Sequence, residues 1–81
     1  MTRHLRVDEK STVPPPSVLT RREREVLCLL AGGKRSAEIA VCLGITEATV
    51  EVHRRNMKQK LRLSTIADLT RYAIQQGLAS S

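Results

Sequence analysis

The chain has 81 residues, a length that excludes a barrel enzyme or a doubly wound nucleotide-binding sheet. Its formal net charge is +6, from 14 basic and 8 acidic residues, which favours a polyanion as the partner. The sequence has no run of about 18 to 20 apolar residues and no secretory apolar segment at its N-terminus. We therefore expect a cytoplasmic protein that does not contact a membrane.

The aromatic residues, cysteines and histidines narrow the function further. Tyr72 is the only aromatic residue, which argues against RNA-binding and single-strand-binding modules that stack bases on aromatic rings. Cys28 and Cys42 lack CxxC spacing, and both are far in sequence from His4 and His53. Neither a Ser/His/Asp arrangement nor a glycine-rich phosphate loop is present. We expect no enzyme activity, no metal, no cofactor and no disulfide.

Residues 1–18 show no apolar periodicity and are predicted to form a flexible tail or an interdomain linker. They end in a run of three prolines, Pro14–Pro16, which we expect to be extended and not helical. The folded domain is predicted to cover residues 19–78, and residues 79–81 a short C-terminal tail.

The first helix is predicted over residues 21–31. Thr20 and Glu23 have the spacing of a capping box, in which each side chain accepts from the other residue's backbone N–H. Gly32 and Gly33 are expected to end the helix. Apolar residues recur between these signals at helical spacing: Val26, Leu27 and Leu30.

The second helix is predicted to open with Ser36 as its N-cap residue and to end at Gly44, which is free to adopt positive φ. Its apolar face consists of Ile39, Ala40 and Leu43. Only Ile45 separates Gly44 from the next predicted N-cap, Thr46. So short a turn cannot make the next helix antiparallel, and it predicts the sharp crossing of a helix-turn-helix unit.

The third helix is predicted over about residues 47–61. Val50, Met57 and Leu61 lie within about 20° of one another around its axis and are expected to be buried. The opposite face consists of Ala48, Val52, Arg55 and Gln59. The second half of the helix contains five basic residues and no acidic one: Arg54, Arg55, Lys58, Lys60 and Arg62.

The fourth helix is predicted from about Thr65 to Gln76. Thr65 and Asp68 have capping spacing, and Gly77 is expected to end the helix. Its inward residues are Ile66, Leu69 and Ala73. The pattern as a whole predicts an all-α fold of four helices joined by short loops.

Several motifs in this order resemble the LuxR-type helix-turn-helix domain of NarL/FixJ-type response regulators and of the spore regulator GerE. The resemblance covers about residues 19–78 and rests on Leu19–Leu27 (LTRREREVL), Glu38-Ile39-Ala40, Leu43-Gly44-Ile45-Thr46, Thr49-Val50-x-Val52-His53 and Lys60-Leu61. It implies the DNA-binding domain of a transcriptional regulator. The third helix would read the major groove, the second would position it, and the fourth would pair two subunits on DNA.

The resemblance also implies roles for individual residues. The positions that read bases are Glu51, Val52 and Arg55. The positions that contact DNA phosphates are Ser36, Thr49, Arg54 and Lys58, and Lys60 joins them because it belongs to the same basic run. The exposed side of the fourth helix offers a small symmetric patch for dimerisation, formed by Ala67, Thr70, Arg71 and Ile74. Chemically, Arg55 suits a guanine edge and Val52 a thymine methyl group.

Two positions depart from the family pattern. Glu51 stands where members often carry Lys, so it either accepts from a cytosine amine or pairs with a neighbouring Arg. Arg62 stands where a Gly commonly ends the recognition helix. If that position requires positive φ, Arg62 costs about 1 kcal/mol; otherwise the helix continues and bends differently.

Two alternatives remain open at this point. Region 4 of sigma factors shares the EIA…LGI…TV core and would require RNA polymerase for tight binding. A helical protein-interaction module would instead use the basic face to bind an acidic protein. The LTRREREVL opening and the Val52-His53 pair favour the LuxR type. The expected partners are therefore double-stranded DNA in the bacterial nucleoid and a second copy of the chain, with RNA polymerase as a further candidate.

Overall fold

The computed structural model describes residues 14–78, in which a short 3₁₀ turn, Pro16–Val18, precedes four helices. The helices are α1 (Arg21–Ala31), α2 (Ser36–Leu43), α3 (Glu47–Leu61) and α4 (Ile66–Gln75). The predicted all-α, four-helix fold is confirmed. Residues 1–13 of the predicted N-terminal tail (1–18) and the whole predicted C-terminal tail (79–81) lie outside the described part of the chain. None of the four helices is both long and apolar enough to cross a membrane.

One apolar core holds the four helices together. α1 contacts each of the other three helices, and α2 packs on α3. Every helix contributes buried side chains, which are Val26, Leu27, Leu30, Ile39, Ala40, Val50, Met57, Leu61, Leu69, Tyr72 and Ala73. α1 is therefore the central element, and the α2–α3 pair and α4 are held in place by packing against it.

Threonine side chains cap α1, α3 and α4, as the sequence predicts. The hydroxyls of Thr20, Thr46 and Thr65 accept from the backbone N–H three residues later, at 3.1, 3.1 and 3.0 Å. In α1 the capping box is complete, because Glu23 Oε1 accepts from the N–H of Thr20 at 2.9 Å.

The predicted cap of α2 is wrong by one residue. Arg35 is the N-cap, with φ −94° and ψ 165°, and Ser36 is already the first helical residue. Glu38 Oε1 accepts from the N–H of Arg35 at 2.8 Å. The Ser36 hydroxyl reaches instead to α3, where it donates to Glu51. Serine is a common N-cap, but here a tertiary partner takes the hydroxyl that a cap would use.

Gly44 makes the sharp turn between α2 and α3 possible. Its φ of 68° and ψ of 35° lie in the left-handed region, which glycine adopts without steric cost. The N–H of Ile45 then donates to the carbonyl oxygen of Ala40 at 3.0 Å, closing the end of α2. The predicted positive φ at Gly44 is confirmed. The turn lets α3 cross α2 and pack against it.

Arg62 ends α3 in the same left-handed conformation without being a glycine. It has φ 58° and ψ 42° and is the only non-glycine residue with positive φ among residues 14–78. The N–H of Leu63 donates to the carbonyl oxygen of Lys58 at 2.9 Å. Of the two outcomes considered for Arg62, the structure has the one in which the helix stops and the side chain costs about 1 kcal/mol.

The segment before α1 differs from the prediction at Pro16. Pro15 is extended, with φ −75° and ψ 158°, but Pro16 begins the 3₁₀ turn, so the expectation that no proline is helical is wrong there. A proline fits the first position of a helical turn because its N–H is not needed. The Tyr72 hydroxyl donates to the carbonyl oxygen of Pro14 at 2.6 Å, which ties this segment to α4.

An ion pair with one buried partner joins α1 to α3. Lys60 Nζ lies 2.7 Å from Glu23 Oε1, and Glu23 is only 3% exposed. Burial on its own raises the pKa of Glu23, but the hydrogen bonds from Lys60 and Thr20 outweigh it, so this pKa lies below its ordinary value. The ionised carboxylate therefore stabilises the fold.

The Glu23–Lys60 pair makes stability depend on pH. A lowered folded-state pKa contributes stability above the pKa of the unfolded chain, near 4.5, and loses it as the pH falls through the folded-state value. Glu23→Gln keeps a side chain suited to the capping box but removes the charge. We expect it to lower the Tm at pH 7 and to flatten the decline of Tm between pH 7 and pH 3, measured by circular dichroism.

The matched control is Glu25→Gln on the same helix, where the carboxylate pairs with Arg22 at an exposed position. This variant should keep the pH profile of the unaltered domain, because exposed pairs contribute little. Identical pH profiles for Glu23→Gln and the unaltered domain would contradict a stabilising role for the pair.

The left-handed conformation of Arg62 predicts a stabilising substitution. Arg62→Gly removes the clash between Cβ and the backbone, and we expect the free energy of unfolding to rise by roughly 0.5–1 kcal/mol in urea titrations. Arg62→Ala removes the same charge and keeps the Cβ, so it should give no such gain. Equal stability of the two variants would mean that charge, not backbone conformation, sets the effect.

Candidate nucleic-acid interface

α3 buries one face and exposes the opposite one. Val50 and Met57 are fully buried and Leu61 is 1% exposed, which confirms the predicted inward stripe. The other side presents an outward strip, defined as Ala48, Val52, Arg55 and Gln59, all of which are exposed. Val52 is 41% exposed although it is apolar. The exposed side of α3 therefore offers solvent an apolar residue and a cation one helical turn apart.

The basic side chains around this strip differ in whether they have partners. Within residues 14–78, Arg55 and Lys58 take part in no salt bridge, and neither does Arg62. Arg54 and Lys60 both do. The positive charge available to an external anion is thus concentrated on Arg55, Lys58 and Arg62.

A network of three side chains links the first turn of α2 to α3. Ser36 Oγ donates to Glu51 Oε2 at 2.7 Å, and Arg54 Nη1 donates to the same oxygen at 2.9 Å. Arg54 Nη1 also donates to the Ser36 hydroxyl. Of the two arrangements expected for Glu51, the structure has the one in which it pairs with a neighbouring arginine. We call this group the Ser36–Glu51–Arg54 network.

Sequence reasoning missed the tertiary part of this network. The Glu51–Arg54 pair has i, i+3 helical spacing and could be found from the sequence. The partnership with Ser36 could not, because it joins residues 15 positions apart across the turn. Arg54 is 22% exposed, and its Nε is buried without a hydrogen-bond partner among the described residues.

Two further predicted phosphate contacts lie near the start of a helix. Thr49 is half-buried beside the N-cap of α3, where its hydroxyl is 3.0 Å from that of Thr46. Ser36 lies at the first turn of α2, whose N-cap Arg35 makes no side-chain cap hydrogen bond. The first turn of α2 consequently lacks the threonine cap that the other three helices have.

Lys60 is not brought together with Arg54 and Lys58. Its ammonium group bonds to Glu23 of α1, so its charge is used within the domain. The pairing could not be predicted from the sequence, because 37 residues separate Lys60 from Glu23.

The residues predicted for dimerisation lie along one side of α4. Ala67, Arg71 and Ile74 are exposed and Thr70 is half-buried. Ile74 is 60% exposed and so does not complete the core of a single subunit. Arg71 pairs with Asp68 at 3.3 Å on the same helix.

Among residues 14–78, no three His, Cys, Asp or Glu side chains come together in a way that could hold a metal ion. Cys28 and Cys42 are free thiols. The outward strip of α3 itself offers hydrogen-bond donors and acceptors, a positive charge and apolar surface.

The sequence matches the family described as "Bacterial regulatory proteins, luxR family" over residues 17–73. It is 52% identical over 62 residues to the transcriptional regulatory protein MctR of Rhizobium johnstonii, and this match covers 76% of this chain and 29% of MctR. It is 39% identical over 71 residues to the oxygen regulatory protein NreC of Staphylococcus carnosus, covering 88% of this chain and 33% of NreC.

A solved structure gives the same picture. The crystal structure of Escherichia coli SdiA matches with a TM-score of 0.74 and 35% identity, over 95% of this chain and 32% of the SdiA chain. The chain spans about a third of the length of these relatives. The similarity therefore concerns one part of each of them.

Proposed function

Since the chain belongs to the luxR family of bacterial regulatory proteins, we propose that α3 is the helix with which it reads the major groove of duplex DNA. The domain is a LuxR-type DNA-binding domain of a transcriptional regulator, and domains of this family bind DNA. The roles of the single helices and residues are our proposal.

The exposure of the outward strip of α3 is the observation that carries this proposal. The major groove of B-DNA is about 12 Å wide and admits an α-helix. Arg55 is exposed and takes part in no salt bridge among residues 14–78, so its guanidinium is available to donate to guanine O6 and N7. Val52, 41% exposed one helical turn before, suits a thymine methyl group.

Phosphate contacts are proposed on both sides of the strip. Lys58 and Arg54 lie on α3. Lys58 forms no salt bridge within residues 14–78, and Arg54 keeps 22% of its side chain exposed while its Nη1 is bonded to Ser36 and Glu51. Thr49 adds a hydroxyl, and the first turn of α2 at Ser36 adds backbone N–H groups and the positive end of a helix dipole, which favour an anion. Lys60 is not included, because its ammonium group is bound to Glu23.

α4 is proposed to pair two copies on DNA. A single recognition helix reads only a few base pairs, so two half-sites supply most of the specificity. The exposed Ile74, flanked by Ala67 and Arg71, offers a small patch that a two-fold axis can match with itself. Such a dimer would act on chromosomal DNA in the bacterial nucleoid.

Arg55→Ala tests the reading of bases. With a duplex selected from a random pool, we expect affinity to fall by about 1–3 kcal/mol, and by far less on random duplex, in fluorescence anisotropy titrations. Arg21→Ala, an exposed arginine on α1, is the control and should change neither affinity much.

Each other outcome has a distinct meaning. Equal losses on both duplexes would make Arg55 a phosphate contact. If the unaltered domain showed no sequence preference, the proposed function would be wrong and a protein-interaction module would be favoured. Tight binding only in the presence of RNA polymerase would favour recognition of the sigma type.

The phosphate contact of Lys58 can be tested with Lys60, on the same helix, as the matched control. Each phosphate neutralised contributes about 0.9 to the slope of log K against log salt concentration. We expect Lys58→Ala to reduce that slope by about this amount and to leave the Tm unchanged. Lys60→Ala should leave the slope unchanged and lower the Tm, because it leaves Glu23 buried without its partner. The reverse pattern would contradict both assignments.

A further inference from the structure

We propose that Glu51 is a positioning residue that braces α2 against α3, and not a residue that reads a base; this rests on the proposed function of α3. Its carboxylate is the centre of the Ser36–Glu51–Arg54 network, in which Glu51 Oε2 accepts from Ser36 at 2.7 Å and from Arg54 at 2.9 Å. The network therefore joins the first residue of α2 to the second and third turns of α3.

The network lies where it can restrict the direction of α3 relative to α2. α2 and α3 meet at the Gly44 turn, and Ser36 lies at the far end of α2, about 10 Å along the helix axis. Glu51 lies about 6 Å along α3 from its first residue. The hydrogen bond between them closes a triangle whose other two sides are rigid helices. Because the third side restricts the distance between the far end of α2 and α3, the network adds to helix packing in restraining the angle at which α3 crosses α2.

The hydrogen-bond geometry also leaves Glu51 poorly placed to read a base. One of its oxygens already accepts from a hydroxyl and from a guanidinium, and the guanidinium bond is charge-assisted. Only Oε1, which accepts no hydrogen bond within residues 14–78, is left for a cytosine amine, and the two bonds to Oε2 fix the direction in which the carboxylate points. The Ser36 hydroxyl is likewise engaged, since it donates to Glu51 and accepts from Arg54. The three side chains thus bond to one another within the protein through Ser36 Oγ, Glu51 Oε2 and Arg54 Nη1.

The sign of the effect on affinity separates this role from simple electrostatics. A carboxylate near DNA repels phosphates, so its removal should tighten binding if charge alone acts. Removal of a brace should weaken binding to a specific site, because α3 then samples other directions. Glu47 supplies the control: it is an exposed carboxylate in the first turn of α3 and forms no salt bridge within residues 14–78.

The experiment compares Glu51→Ala, Glu51→Gln, Ser36→Ala, the Ser36→Ala/Glu51→Ala double variant and Glu47→Ala. Affinities are measured for a selected duplex and for every single base-pair variant of one half-site. We expect Glu51→Ala and Ser36→Ala each to lower the affinity for the selected duplex by about three- to tenfold, and the double variant to lower it no more than either single variant. Glu51→Gln should retain most of the affinity, because its carbonyl oxygen still accepts a hydrogen bond. Glu47→Ala should bind as tightly as the unaltered domain or more tightly.

The base-preference profile is the readout that a base contact would change. The brace predicts that Glu51→Ala lowers affinity by one common factor and leaves the order of preferred bases unchanged. A base contact predicts loss of discrimination at one base pair, about 5- to 150-fold, with Ser36→Ala unaffected. That result, or tighter binding by Glu51→Ala, would overturn the proposal.

A second arm needs no DNA. The unfolding of the same single and double variants in urea should show coupling between Ser36 and Glu51, and additive changes would overturn the brace. Absence of sequence preference in the unaltered domain would instead contradict the proposed function, while the urea arm would still decide whether the brace exists.

Discussion

The burial of Val50 and Met57 in the shared apolar core is the constraint on which the outward strip of α3 depends. Each residue of an α-helix is rotated by about 100° from the last, so a fixed buried stripe also fixes the direction of every other side chain. Val52 and Arg55 consequently point away from the core. Burial of side chains of this size contributes about 1.5–3 kcal/mol each, whereas exposed ion pairs contribute about 0–1 kcal/mol. The core therefore decides which face looks outward, and the Ser36–Glu51–Arg54 network adjusts only the crossing angle.

Two left-handed residues delimit α3, and they differ in what they contribute. Gly44 turns the chain at no steric cost and adds no side chain to the surface. Arg62 makes the corresponding turn at the other end with a penalty of about 1 kcal/mol, but places a cation where the helix dipole is negative. The same charge extends the basic run of α3. Compared with a glycine at position 62, arginine makes the domain less stable but adds one positive charge to its surface.

Sequence patterns predict the parts of this structure that depend on neighbours within about four residues. The threonine caps, the glycine turn and the buried stripe of α3 are of this kind, and all are confirmed. Partners that are distant in sequence leave no such signal. Ser36 meets Glu51 15 positions later, and Lys60 meets Glu23 37 positions earlier. Both were predicted phosphate contacts, and in both the side chain is bound within the protein.

These internal partners change how the basic charge of α3 should be counted. Five basic residues lie between Arg54 and Arg62, but Arg54 and Lys60 face carboxylates within the domain. The three that form no salt bridge in the described part of the chain are Arg55, Lys58 and Arg62. Net charge sets the attraction to any polyanion, whereas discrimination among sequences requires side chains held in one direction. The two internal pairs leave the net charge unchanged but reduce the number of α3 cations that are free to attract an anion. By joining α3 to α1 and to α2, they also help to hold its side chains in one direction.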